Sequence, residues 1–313
     1  MRIALIFATL LTSATAATAR DPVELHPQDG KIAVIIDGQP FATYVHEGYK
    51  KPFLINIRAP DGTIVTRSLD KEAITDHPHH KGLWVAIDEV NELGHWKEAH
   101  AIRTKSAGKL INAEAKGDDP TRFHVVNEWL DAEGNPVLLE KTTVRITPDR
   151  LIAYDIELTP AGNEPVTFHD TKEGFFAIRV RDELREKGGT GQIINAQGQQ
   201  GEAEAWGRKA EWVDYSGQVE GEAVGVAIFD HPDNPRPGRY HVRGYGLFAV
   251  NPFGQSAYTN GELKPNPGHL KPGETLRLRY AAWVHEGDAE QADVAARYRR
   301  YVESTQKTPA SKN

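Results

Sequence analysis

The 313-residue chain has no cysteine. That excludes a disulfide framework, a thiolate-held metal and a cysteine acylated to anchor the chain in lipid. A chain of this length can bury a sizeable core without such staples, so its stability must come from packing. Long apolar runs are also missing. The longest, Ile3 to Leu11, falls well short of the roughly 18 residues that a spanning helix needs. No GxGxxG enters a helix, and Walker A, GxSxG and HExxH patterns are absent, so nucleotide-dependent chemistry and serine hydrolysis find no support. Positive charge is in deficit, with 37 Lys and Arg against 44 Asp and Glu.

What is present begins with a leader. Arg2, the apolar run and Ala17-Thr18-Ala19 before Arg20 predict a signal peptide over residues 1–19 and a periplasmic or secreted protein. Its loss removes one charge, Arg2, and leaves 294 residues with 36 basic and 44 acidic groups, a net charge of −8. Nucleic acid and an anionic membrane surface both require a basic footprint, so neither is expected as a partner. An anionic sugar remains compatible, because one local basic cleft suffices.

The remainder reads as strands. Lys31 to Asp37 and Phe41 to His46 flank a turn at Gly38-Gln39-Pro40, and Phe53 to Arg58 leads through Pro60-Asp61-Gly62 to Thr63-Ile64-Val65. Thr121 to Trp129, Val137 to Ile146 and Leu151 to Leu158 alternate apolar and polar residues, as half-buried antiparallel strands do. Val224 to Phe229, Gly246 to Val250 and Leu276 to Val284 continue the pattern. One helix is predicted, Ala289 to Glu303, capped by Asp288 and striped by Val294, Ala295, Tyr298, Tyr301 and Val302. The expectation is all-β: one large antiparallel β-sandwich over residues 20–304 with a C-terminal helix, then a disordered tail over 305–313.

Five patches carry chemistry. Asp76-His77-Pro78-His79-His80-Lys81-Gly82-Leu83-Trp84 packs three imidazoles into four residues, and His95 and His100 bring residues 77–100 to five of the 13 histidines. Imidazole titrates near neutrality and is the commonest metal ligand, so this is an acid–base or a metal site rather than a mere polar turn. Extended alternation would put His77 and His79 on one face and His80 on the other. Asp88 to Glu92, before His95-Trp96, could orient an imidazole or extend a metal shell. His169 to Arg179 offers Glu173 as an acid or base and Arg179 as a clamp for carboxylate or sulfate. Phe229 to Arg236 is a proline-stiffened loop containing His231, and His241, Arg243 and Tyr245 alternate onto one strand face beyond it. Trp206, Trp212 and Tyr215 are aromatics of the kind on which sugar rings stack, although most such residues are core.

The segments DHPHHKGLW, KEGFFAIRV, AWGRKAEWVDYSG, FDHPDNPR, YHVRGYGLF and NPFG together resemble the bacterial family labelled PmoA-like, or DUF6807, over about residues 25 to 300. One departure is Tyr240, where the family pattern has tryptophan before His-Val-Arg. The label evokes a membrane-spanning methane monooxygenase subunit, an activity not expected of a chain without a spanning run. The resemblance implies exported proteins of polysaccharide-degrading bacteria and a sandwich similar to those of mutarotases and polysaccharide lyases.

Three functions follow. The first is a carbohydrate-active enzyme working on oligosaccharides by elimination, dehydration or hydrolysis. Its base would be His79 or His80 and its acid Glu173, with Arg179 and Arg243 holding a carboxylate and Trp84, His231, His241 and Tyr245 lining the site. The second is a non-catalytic carbohydrate-binding protein with Trp84, Trp206 and Trp212 as platforms. The third adds to the enzyme a divalent metal held by histidines among His77, His79, His80 and His95; otherwise no cofactor is implied.

Overall fold

In the computed structural model, residues 22–70, 72, 74–108 and 121–306 are described. The predicted leader and residues 307–313 of the predicted tail lie outside them.

Period-two patterning builds two eight-stranded sheets. The first runs β1 (Val23–Gln28), β2 (Lys31–Ile36), β3 (Gln39–Val45), β4 (Phe53–Ile55), β5 (Leu83–Ile87), β11 (Gly174–Arg179), β16 (Leu247–Asn251) and β15 (Arg239–Arg243). The second runs β12 (Gln192–Asn195), β13 (Trp212–Val219), β14 (Glu222–Asp230), β18 (Leu276–Glu286), β9 (Leu151–Pro160), β8 (Pro136–Ile146), β7 (Arg122–Leu130) and β6 (Ile102–Ala107). Two short strands, β10 (Val166–Phe168) and β17 (Gly268–Leu270), pair separately. Neighbouring strands are antiparallel, as expected.

The sheets pack face to face. Tyr154 of β9 meets Phe176 of β11 at 5.2 Å, Phe176 stacks on Tyr280 of β18 at 5.5 Å, and Tyr215 of β13 meets Phe248 of β16 at 5.6 Å. The Tyr240 hydroxyl crosses the layer to donate to the Ile228 carbonyl at 2.9 Å. These contacts fix which side of the first sheet is interior. Phe176 pairs with Val85 and Val250, and Val250 pairs with Tyr240, so this row faces the core. The next row, Trp84, Ala177, Ala249 and His241, must face the opposite side. Arg179 and Arg243, both paired with Leu247, share that outer face.

A short helix, α1 (Gly201–Ala205), lies between β12 and β13, and the helix α2 (Val294–Gln306) lies on the outer face of the second sheet. There Val294, Tyr298 and Tyr301 bury themselves against Leu151, Trp212, Ala227, Phe229, Ala281 and Trp283. It starts five residues later than the sequence suggests. Asp288 caps a preceding turn, accepting from the Glu290 and Gln291 amides, whereas Asp293, at φ +52°, caps the helix through the Ala296 amide at 3.1 Å. Thr305 and Gln306, assigned to the tail, complete the helix. Two turns also differ from expectation. The first hairpin turns at Asp37-Gly38, both in the left-handed region, and Gln39 and Pro40 already belong to β3. Thr63 to Val65 form only a bridge from Ile64 to Arg58, because Asn56 at φ +55° ends the strand at Ile55.

Candidate active site

The histidine stretch is a turn, not an extended strand. The His80 amide bonds the His77 carbonyl at 2.9 Å, Pro78 supplies the fixed φ that suits its second position, and His77 sits at φ +37°. The expected split of the imidazoles over two faces therefore fails. His77 stacks on His80 at 4.8 Å and 8°, and His79 meets His80 edge-on at 4.4 Å.

Two buried cations fasten this turn. Arg67 donates through Nη1 to the Asp76 carbonyl (3.0 Å) and carboxylate (2.7 Å), and through Nη2 to the His77 and His80 carbonyls (both 2.9 Å). Lys51 donates to the His79 carbonyl (2.7 Å), the Trp96 carbonyl (3.2 Å) and Glu98 (2.8 Å). Glu98 also takes Lys81 at 2.6 Å. Burial, only partly offset by Glu98, pulls the Lys51 ammonium down to about 8. Asp76 is shared, because Arg179 Nη2 bonds the same Oδ1 at 2.8 Å and reaches Oδ2 at 3.1 Å. Burial opposes ionisation of Asp76, but the two guanidiniums outweigh it and hold the carboxyl below its usual range.

On this foundation the outer face of the first sheet carries two layers. The lower is buried: His80 stacks on Trp84 (5.4 Å), Trp84 packs on Trp96 (5.1 Å), and Arg179 and His241 lie beside them in the sheet. Burial drives the His80 imidazole far below its normal range and His241 down to about 3, so both are neutral. The upper layer reaches solvent. The Tyr245 ring stacks on His77 at 4.8 Å and 7° and lies 4.9 Å from the Arg179 guanidinium and 5.7 Å from that of Arg243. His77 is 40% exposed, and His79, Glu173 and Arg243 are partly so.

Glu173 lies at the start of β11, within electrostatic reach of His77 and Tyr245. Its carboxylate accepts no hydrogen bond among the described residues, and burial raises its pKa above the glutamate range. Burial, reinforced by Lys51, draws His79 down to about 4. A carboxyl whose charge burial disfavours thus shares this face with a neutral, partly exposed imidazole and the Arg243 cation.

Of the residues singled out from sequence, His77, His79, His80, Trp84, Glu173, Arg179, His241, Arg243 and Tyr245 occupy this one face. Several assignments change. His231 belongs to the far side of the molecule, where its ring bonds Thr305 at 2.6 Å, accepts from the Asp233 amide and packs on Tyr301. His95 points away from the turn, onto the Leu130 carbonyl (3.0 Å) and Trp129, so it cannot join His77 and His79 around a metal. Among the described residues no group of three or more His, Asp or Glu side chains is arranged to hold one. His80 is only 1% exposed, which removes it as a base that meets substrate. The acidic patch serves Lys97: Asp88 accepts from its amide and ion-pairs its ammonium. Trp212 is buried beneath α2 and Tyr215 in the core.

Arg67, Lys51 and Glu98 escaped the sequence reading. Each stands 9 to 47 residues from its partners in segments with no local cue.

Fold and site together define an antiparallel β-sandwich protein with a cationic, imidazole-rich cluster on the outer face of one sheet. The chain belongs to the family of unknown function DUF6807, whose model matches residues 31–299. No curated protein matches it. Among solved structures it is similar to a GalM/aldose epimerase homologue from C. elegans, at 7% identity and a TM-score of 0.41, covering 85% of this chain and 99% of that one. It is also similar to the GH36 α-galactosidase AgaA from Geobacillus stearothermophilus (11% identity, TM-score 0.38, 80% of this chain). A third is heparan sulfate lyase HepC from Pedobacter heparinus (7%, TM-score 0.33, 82% of this chain). The chain spans only 40% of the galactosidase and 30% of the lyase. No described helix is long and apolar enough to cross a membrane.

Proposed function

We propose that this protein is an exported carbohydrate-active enzyme acting on oligosaccharides that carry a uronic carboxylate, by elimination or dehydration. The observation that carries the reading is the Glu173 carboxyl, held toward its protonated form by burial and sharing one face with His77, Tyr245 and Arg243. Arg243, and behind it Arg179, supply positive charge for the substrate carboxylate and for the negative charge that grows on it as the neighbouring carbon loses a proton. His79, neutral down to about pH 4, or the adjacent His77 takes that proton. The C–O bond on the next carbon breaks as the double bond forms, and Glu173 gives its proton to the departing oxygen. The platform role suggested for tryptophan weakens, because Trp84 and Trp212 are buried.

The test is incubation with a panel of uronic-acid oligosaccharides, followed by mass spectrometry and absorbance of a new conjugated double bond. Turnover is expected, and Glu173→Gln should reduce it about 10²–10⁴-fold. Binding without turnover across the panel would favour the non-catalytic protein, and full activity in Glu173→Gln would remove the acid assigned here. Stoichiometric metal in the purified protein, with activity lost to chelator, would restore the metal-dependent version. Export is checked by N-terminal sequencing, which should begin at Arg20.

A further inference from the structure

A second group of basic side chains plays no part in that chemistry. Lys209, Arg236 and Arg239 line a cavity of about 130 Å³ walled by Pro235, Pro237 and Pro252. None of the three ion-pairs with a described carboxylate. Arg236 gives Nε to the Pro252 carbonyl at 3.2 Å and one terminal nitrogen to the Asn266 carbonyl, with its guanidinium 5.3 Å over Phe253. Arg239 gives Nη1 to the Gly207 carbonyl at 2.7 Å, and its buried Nε has no partner among the described residues. Lys209 is exposed, and its side chain makes no hydrogen bond among the described residues.

The carboxylates that these cations feel, Asp170 and Asp230, are already committed. Asp170 accepts from the amides of Ser256, Ala257 and Asn266. Asp230 accepts from Asn234 Nδ2 at 2.7 Å and the Gly238 amide at 2.8 Å. Three positive groups therefore face one small space with unspent donors. The proline walls fix its shape beforehand, which lowers the ordering cost of binding.

We propose that this cavity is an oxyanion-binding site that takes one tetrahedral group, either a sulfate ester on a saccharide or inorganic phosphate. The volume, that of roughly four waters, suits a single such group, with any attached sugar left outside. A guanidinium presents donors in a planar fork, and an ammonium adds a compact point charge. Arg239 also shares the outer face of β15 with His241 and Arg243, and stands roughly 13 Å along the strand from Arg243. The assignment does not depend on the reaction proposed above.

It is tested by titrating the full chain with inorganic sulfate, inorganic phosphate, glucose 6-sulfate and glucose at constant ionic strength set with chloride. Melting temperature and the arginine Nε–H signals in NMR spectra are the readouts. The oxyanions should raise the melting temperature saturably and move the Arg239 signal, whereas glucose should do neither. Lys209→Gln and Arg239→Gln should each weaken binding about tenfold or more, and Arg277→Gln, a remote exposed arginine, should not. Tighter binding of glucose 6-sulfate than of inorganic sulfate would assign a sulfated saccharide, and preference for phosphate would assign the free anion. No saturable response to any oxyanion, or Lys209→Gln and Arg239→Gln variants that bind like the parent, would overturn the proposal.

Discussion

At the start of β11 the Glu173 carboxyl occupies a place where burial disfavours its charge. Its folded pKa is raised above the unfolded value, so its contribution to stability is fully present below the unfolded pKa and is lost as pH rises through the folded one. Glu173→Gln removes that loss. The variant should melt with the parent near pH 4 and above it at pH 8, while turnover falls. Equal melting temperatures at both pH values would mean that the carboxyl is solvated. For the parent, the pH–rate profile should have an acid limb near 4, where His79 becomes protonated, and an alkaline limb at the raised Glu173 value. The alkaline limb should vanish in any residual activity of the variant. At this level sequence was informative about clustering and poor about access. Density marked His77, His79 and His80, but only the turn geometry separates the exposed His77 from the buried His80.

Among the elements, the join between β4 and β5 positions the whole turn. Gly82 sits there at φ +54°, its carbonyl takes the Arg179 amide at 2.8 Å, and a Cβ on it would stand 1.9 Å from the Leu54 carbonyl oxygen. Gly82→Ala combines left-handed strain with a backbone clash and should cost about 3 kcal/mol or more, read as a lower urea midpoint. An unchanged midpoint would show that the join yields. The ladder of β7, β8 and β9 was legible because alternation holds over most of its length. By contrast β13 was invisible as a strand. It places Asp214 and Ser216 on its buried outer side, and His285 of β18 reaches across Gly225 to ion-pair Asp214 at 2.7 Å. The late start of α2 was hidden for a similar reason: Asp288 and Asp293 both carry cap chemistry, and only backbone geometry shows which one opens the helix.

For the molecule as a whole, the two outer faces are divided: one sheet carries the charged cluster, and the other is covered by α2 over β9, β13, β14 and β18. A change on the covered face should alter stability without touching chemistry. Tyr301 is 1% exposed and packs on Phe229 and His231. Tyr301→Ala should cost about 3–5 kcal/mol by chemical denaturation, with kcat/KM unchanged at a temperature where the variant stays folded. A matched fall in kcat/KM would show that the two faces communicate. The sandwich and its C-terminal helix were readable from periodicity. The gathering of residues from 67 to 245 on one face was not, because it depends on strand order, with β5 beside β11 and β16.

Asp76 gives the site a fuse. One carboxylate bridges Arg67 and Arg179, whose positive charges repel each other. Its folded pKa lies below the unfolded one, so its support is intact above the unfolded value and fails as pH falls through the folded value. A single proton would then weaken two anchors at once and loosen the turn that bears His77 and His79, although Arg67 keeps its bonds to the His77 and His80 carbonyls. Glu140, a carboxyl buried between the sheets, has its pKa raised by burial, so acid takes no such support from the core. Acid should therefore disarm this protein before it unfolds it.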